Sequence, residues 1–162
     1  MTLLKKPETR QWQGGICVVD SGRITFKNML DRRTCAEQFG YLLDNDRFEE
    51  LQRWIAEDCS YDIGSKILLG PLEIAEFYKA NMEDGRKKFD ELEWGKAVIE
   101  EIDDETFDVC FSDFLKHKGI EHRYKCKQRL TVNDDAKVLK IEHLEYPGEK
   151  EALIAFKKQV GL

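Results

Sequence analysis

The chain has 162 residues, of which 41% are hydrophobic, enough for one domain with its own core. Charged residues make up 36%, yet 26 Lys and Arg against 32 Asp and Glu leave a net charge of -6 with no block of like charge. That balance excludes a nucleic-acid or anionic-membrane partner, since neither binds an acidic surface that lacks a basic patch. No segment approaches the ~18 apolar residues of a membrane span, and the opening MTLLKKPETRQW has no apolar run of signal-peptide length. Cys17, Cys35, Cys59, Cys110 and Cys126 are odd in number, scattered and without C-x-x-C spacing, so they read as reduced thiols of a cytoplasmic protein.

Residues 1–33 stand apart as an N-terminal extension: a polar leader, then GICVVD and RITFK around Ser21-Gly22, the pattern of a β-hairpin with a short turn. The main domain is expected over 34–162. Thr34 is placed to cap a helix, with Glu37 three residues on as in a capping box and Phe39, Leu42 and Leu43 at helical spacing. This helix stops near Asp44-Asn45-Asp46. A second carries Phe48, Leu51, Trp54 and Ile55 on one stripe and ends around Ala56-Glu57-Asp58, and Cys59 to Ile63 alternates weakly as a short strand. Gly70-Pro71 opens a third helix with Leu72, Ile74, Ala75, Phe77 and Tyr78. From Glu93 to Tyr146 the period changes to two, giving four strand-like runs separated at Asp103-Asp104, Lys118-Gly119 and Asp134-Asp135. The tail EKEALIAFKKQV reads as a short amphipathic helix. Helices followed by an antiparallel meander define an α+β domain.

A turn at Lys118-Gly119 pairs Phe111 with Cys126, Asp113 with Tyr124, Val109 with Gln128 and Phe107 with Leu130, and on the other face Asp108 with Arg129 and Ser112 with Lys125. Glu121, Arg123, Lys125, Lys127 and Arg129 alternate on that charged, outer face. A turn at Asp134-Asp135 then pairs Leu139 with Leu130, Ile141 with Gln128, His143 with Cys126 and Glu145 with Tyr124 on the inner face, and Lys127 with Glu142 on the outer.

The run FGYLLDNDRFEELQRWIAEDCSYDIG, then LLGPLEIAEFYKANM, then three long strands resembles the SnoaL-like and ketosteroid-isomerase-like branch of the nuclear-transport-factor-2-like superfamily, over about residues 34–146. The resemblance implies a cystatin-like cone: helices packed on a strongly curved antiparallel sheet that encloses a pocket. It is specific for fold, since this superfamily hosts isomerases, dehydratases, cyclases, epoxide hydrolases and binding modules. The inner positions worked out above fall on that family's pocket positions.

The inner face presents Asp113, His122, Tyr124, Cys126, Gln128, His143 and Glu145 among Val109, Phe111, Leu115, Leu130 and Ile141, and buried polar groups are either paired or face a wet cavity. One reading makes Asp113 and His143 an acid/base pair, with Tyr124 donating to a developing oxyanion. The other has Asp113 and Tyr124 bonded to each other, His143 capping a neighbour, and Glu145 and His122 in water at the rim. Cys126 reads as a buried thiol beside the ligand. The family's general-base aspartate closes the first strand, where the gapless match puts Ile63 and a one-residue shift puts Asp62. Its oxyanion tyrosine falls at Gln38 and its oxyanion aspartic acid at Gln128, which argues against steroid isomerisation. Arg123 and Arg129 point outward, which argues against an epoxide-hydrolase Asp-Arg-Asp set. Tyr41 and Trp94 are candidate pocket aromatics. His117, His122 and His143 lack metal-ligand spacing, and no cofactor is expected.

Two functions follow. One is a cofactor-independent enzyme, a lyase, isomerase or cyclase, acting by acid/base chemistry on a small apolar or aromatic molecule. The other is a non-enzymatic module that captures a ligand in the pocket or dimerises through the outer face, where Leu144 and Tyr146 suit the isologous contact of a homodimer.

Overall fold

Residues 16–20, 23–27 and 31–162 are described by the computed structural model of the chain, which divides into the units Met1–Leu30 and Asp31–Leu162. In the first unit, β1 (Ile16–Asp20) and β2 (Arg23–Lys27) pair antiparallel with Asp20 opposite Arg23, so two residues link them as a hairpin requires.

The second unit opens with α1 (Arg32–Asp44). Its cap is Asp31 and not Thr34: the Asp31 carboxylate accepts the Thr34 N–H at 2.6 Å, satisfying one of the orphan donors of the first turn. After Asp46, which takes a positive φ of 55°, α2 spans only Phe48–Leu51 and runs into a 3-10 turn at Gln52–Trp54. The expected second helix is thus cut short, because β3 (Ile55–Asp62) begins at Ile55. The hydrophobic pair Ile55 and Ala56 is buried as sheet and not as a helix stripe.

A short β4 (Ile67–Leu69) leads into α3 (Gly70–Lys88), which starts at Gly70-Pro71 as expected. Gly70 has φ 78°, and a Cβ there would meet the Glu57 carbonyl at 3.2 Å, so both backbone and space demand glycine. β5 (Glu91–Trp94), β6 (Val98–Glu101), β7 (Thr106–His117), β8 (Ile120–Val132) and β9 (Val138–Glu145) follow, and α4 (Glu149–Val160) covers the anticipated tail segment. The expected four strand-like runs are five strands. β5 and β6 both lie along β7, at Asp113–Lys116 and Phe107–Cys110, with Gly95 between them.

The sheet order is β4-β3-β9-β8-β7-β5, with β6 also on β7. It is mixed and not wholly antiparallel, because β3 runs parallel to β9. The sheet does not close; the helices pack on its inner face around Phe39, Leu51, Ile55, Ile74, Val109, Leu130 and Ile141. α1 approaches closely because Gly40 has no side chain: a Cβ there would lie 3.0 Å from Ala97 Cβ and 3.1 Å from Val109 Cγ1.

The β7/β8 register agrees with the sequence-based pairing at every position given above, from Phe107 opposite Leu130 to Asp113 opposite Tyr124. The β8/β9 register does not. Gln128 faces His143, Cys126 faces Glu145 and Leu130 faces Ile141, a shift of two residues. The connection is a longer loop, in which Asn133 Oδ1 accepts from both Asp135 N and Lys137 N, and an irregularity follows Thr131. A shift of two leaves each side chain on its expected face. On the outer face Lys127 therefore does not pair with Glu142; Lys127 and Arg129 both hold the fully buried Asp108, at 2.8 and 2.7 Å, and Arg129 stands opposite Glu142.

Candidate functional site

The curvature of β7, β8 and β9 beneath α1 and α3 leaves a cavity of about 730 Å³. β7 contributes Phe111, Asp113 and Leu115; β8 contributes Tyr124, Cys126 and Gln128; β9 contributes His143. Tyr61, Asp62, Trp94 and the α3 residues Phe77 and Tyr78 complete this wall, and the end of α1 adds Asp44. Tyr61, Phe77 and Tyr78 pack on one another with ring centroids 5.7–6.0 Å apart. These ring contacts make the deep end rigid and apolar.

Two polar arrangements share the cavity. The first is a continuous chain of hydrogen bonds. The Tyr78 hydroxyl donates to Gln128 Oε1 at 3.3 Å, and Gln128 Nε2 donates to the Tyr61 oxygen at 3.3 Å and meets His143 Nδ1 at 3.2 Å. His143 Nε2 lies 3.0 Å from Glu145 Oε1, and the Tyr124 hydroxyl donates to Glu145 Oε2 at 3.0 Å. Because the amide nitrogen of Gln128 carries only hydrogens, His143 Nδ1 is the acceptor and its Nε2–H points at Glu145. Burial pushes the Tyr61, Tyr78 and Tyr124 hydroxyls above their ordinary range, so all three stay protonated.

The second arrangement is Asp113 with Asp44. Among the described residues, Asp113 forms neither a hydrogen bond nor an ion pair. Burial, with the negative charge of Asp44 adding to it, raises its carboxyl from 3.8 to about 7. Asp44 is raised too, chiefly by burial, against a hydrogen bond from the Ala97 N–H at 2.7 Å and the charge of Lys96. The anticipated Asp113–Tyr124 hydrogen bond is absent although the two residues face each other across the strands, because Tyr124 turns to Glu145. Asp113 is thus a carboxyl held near neutrality in an apolar cavity, able to take or give a proton at physiological pH.

Several candidate positions stand elsewhere. Val109 is fully buried against α1, outside the wall of this cavity. Tyr41 is 49% exposed on the outer side of α1, with Arg47 over its ring. His122 is stacked on Phe156 of α4 at 4.9 Å, its Nε2 buried without a partner, because α4 covers the inner face at that end of β8. Glu145 is not in the cavity wall itself but anchors His143 and Tyr124 from its edge. Asp62 reaches the rim with its carboxylate accepting the Gly64 N–H at 2.8 Å, a turn-holding contact at the exposed end of β3. Trp94 does line the cavity, its Nε1–H donated to Asp46 at 2.8 Å. Among the described residues no three His, Cys, Asp or Glu side chains converge as a metal site, and no helix is long and apolar enough to cross a membrane.

Sequence reasoning passed over Asp44, Asp46, Tyr61 and Tyr78. One signal was available for Asp44: an acidic residue in the last turn opposes the helix dipole and needs another reason to be there. Cys35, Cys59 and Cys126 are buried, with thiols pushed up to about 12 by desolvation, whereas Cys110 is half-buried on the outer face. Among these four, brief alkylation of the native protein should label Cys110 first, read by peptide mass; faster labelling of Cys126 would mean that the cavity thiol is ionised.

No protein-family model matches the sequence, and no curated protein matches it. Solved structures do. A Xanthomonas campestris pv. campestris protein assigned as a polyketide cyclase superposes with a TM-score of 0.57 at 13% identity, covering 77% of this chain and 98% of that one. TerC, co-crystallized with polyporic acid, gives 0.57 at 12% identity over 81% and 98%. SalBIII, an epoxide hydrolase/cyclase-like enzyme of pyran ring formation in the polyether salinomycin, gives 0.55 at 9% identity over 73% and 92%. At these identities the likeness is one of fold. The chain has the fold of these proteins, helices packed on a strongly curved sheet.

Proposed function

We propose that the protein binds a small apolar or aromatic molecule in the cone cavity and catalyses cofactor-independent proton transfer on it, as an isomerase, lyase or cyclase, with Asp113 as the base. The observation that carries this reading is the placement of Asp113: an inward carboxyl among Phe111, Trp94 and Leu115, without a hydrogen-bond or ion-pair partner among the described residues, beside a second carboxylate. A structural aspartate would be paired, as Asp108 is on the other face of the same strand. The polyketide cyclase and epoxide hydrolase/cyclase-like neighbours support it as proteins of the same fold.

In the proposed step the Asp113 carboxylate removes a proton from a carbon beside a carbonyl. The C–H electron pair forms the enolate, and Asp113 returns the proton to another atom of the same molecule or to a leaving group. The base is most effective where its conjugate acid titrates near the working pH, since it is then both basic and substantially ionised. Tyr124 is placed to exchange Glu145 for the developing oxyanion, at a cost of about 1 kcal/mol for the hydrogen bond it gives up. His143, held by Gln128 and Glu145, orients that wall.

The test uses 5-nitrobenzisoxazole, whose ring opens when a base removes its C3 proton: the N–O bond breaks and the electron pair leaves on the phenolate oxygen. The wild-type protein should accelerate the opening with a rate that rises through neutral pH. A rate equal to that of free acetate at matched concentration, or one unchanged in Asp113→Asn, would remove Asp113 from the role.

The outer sheet face supports a second reading, assembly as a homodimer of a cytoplasmic protein. Phe114 is 45% exposed there under Arg123, and Tyr146 lies under Lys127, an aromatic and cationic surface of the kind enriched at interfaces. Sedimentation at micromolar concentration decides it: a monomer would exclude the dimer.

A further inference from the structure

The cavity has a second, charged end. α4, which the sequence marks only as amphipathic, turns Phe156 and Val160 onto the sheet and presents Leu153 and Lys157, one turn apart, to the cavity mouth. Lys157 is firmly placed: its carbonyl accepts the Leu162 N–H at 2.8 Å, and Lys118 Nζ binds the Val160 carbonyl at 2.7 Å, which closes the helix end. Its side chain, in contrast, is uncommitted, with no ion pair or hydrogen bond among the described residues.

Of the other charges at the mouth, Lys88, Asp84 and Asp46 are ion-paired. Lys88 pairs with Asp84 at 2.7 Å, Asp46 is held by Arg86 at 2.6 Å and by Trp94, and Asp62 bonds the Gly64 N–H. Among the described residues that line the cavity, Lys157 is the cation without an ion pair, and Asp113 is a carboxyl with neither an ion pair nor a hydrogen bond. A ligand that fills this space satisfies Lys157 only if it carries negative charge at that end.

We propose that Lys157 is the anion-recognition residue of this cavity, so that the ligand is an apolar or aromatic molecule bearing a carboxylate or equivalent anionic group, with its reactive carbon turned toward Asp113. This rests on the ligand-binding reading of the cavity and adds the substrate class to it. Asp113 sets where the proton moves, and Lys157 sets which molecules are admitted and which way round.

The test compares two fluorescent probes with the same aromatic frame, anionic 8-anilinonaphthalene-1-sulfonate and neutral N-phenyl-1-naphthylamine. They are titrated against the wild type, Lys157→Gln, Lys157→Arg and Leu153→Trp, the last narrowing the mouth. Lys157→Gln should weaken the anionic probe about tenfold at low salt and the neutral probe less than about twofold, with Lys157→Arg restoring the difference and added salt shrinking it. Neutral-probe binding that is lost in Leu153→Trp, combined with equal effects of Lys157→Gln on both probes, would overturn the inference and leave the cavity reading intact. Failure of the neutral probe to bind, or binding indifferent to Leu153→Trp, would overturn both. Melting curves of each variant verify that it is folded.

Discussion

Asp113→Asn should lower the rate of 5-nitrobenzisoxazole opening by roughly 10²–10⁴-fold, the usual worth of a positioned general base. Asparagine keeps the shape and polarity of the side chain but cannot hold the proton, so the loss belongs to the base and not to the cavity. Neutral-probe affinity should therefore change little. In the wild type the rate should climb across the titration of Asp113 near pH 7 and level off above it. Asp44→Asn, which removes the like charge, should move that inflection to lower pH and leave the plateau within a few-fold. An unshifted inflection would show that burial alone holds the proton.

Asp113→Asn should also stabilise the protein. A carboxyl whose folded pKa is raised binds its proton more tightly in the native state than in the unfolded chain. Its contribution is greatest below the unfolded value of 3.8, falls as pH rises through about 7, and is flat beyond. At pH 8 the wild type carries a penalty on the order of 2–4 kcal/mol for keeping Asp113 ionised in the cavity, allowing for the solvent that reaches it. Asp113→Asn escapes that penalty, so its melting temperature at pH 8 should exceed that of the wild type by roughly 5–10 °C, and the two curves should converge below pH 4. Asp108, held below the ordinary carboxylate range first by Arg129, works in the opposite sense. Its share of stability is present above its unfolded value and lost in acid, and it cancels from the comparison because both proteins retain it. A residue that costs stability and has no structural partner is what a functional site looks like from the side of the fold.

Much of this was legible in the sequence, for identifiable reasons. The β7/β8 hairpin has a tight Lys118-Gly119 turn with both residues at positive φ, so its register follows from counting and places Asp113 and Tyr124 opposite each other. The β8/β9 connection defeats the same counting, because Asn133 organises a longer loop through two side-chain hydrogen bonds that residue spacing does not reveal. Even so, the two-residue error preserved the inner face, and with it His143 as a cavity residue. Helical periodicity misled at Trp54 and Ile55, where four apolar positions suit one turn of helix as well as the start of a buried strand. What pattern could not supply was partnership. Tyr124 binding Glu145 instead of Asp113, Asp44 turning in from the end of α1, and α4 bringing Lys157 to the mouth all depend on contacts between elements far apart in the chain.

The central claim is that Asp113 is a cavity carboxyl poised to exchange a proton near neutrality, and the most direct measurement is its own titration, followed by carboxyl carbon NMR and assigned by its loss in Asp113→Asn. The account predicts a midpoint near 7 that falls in Asp44→Asn. A midpoint near 4, the value of an ordinary solvated aspartate, would contradict it.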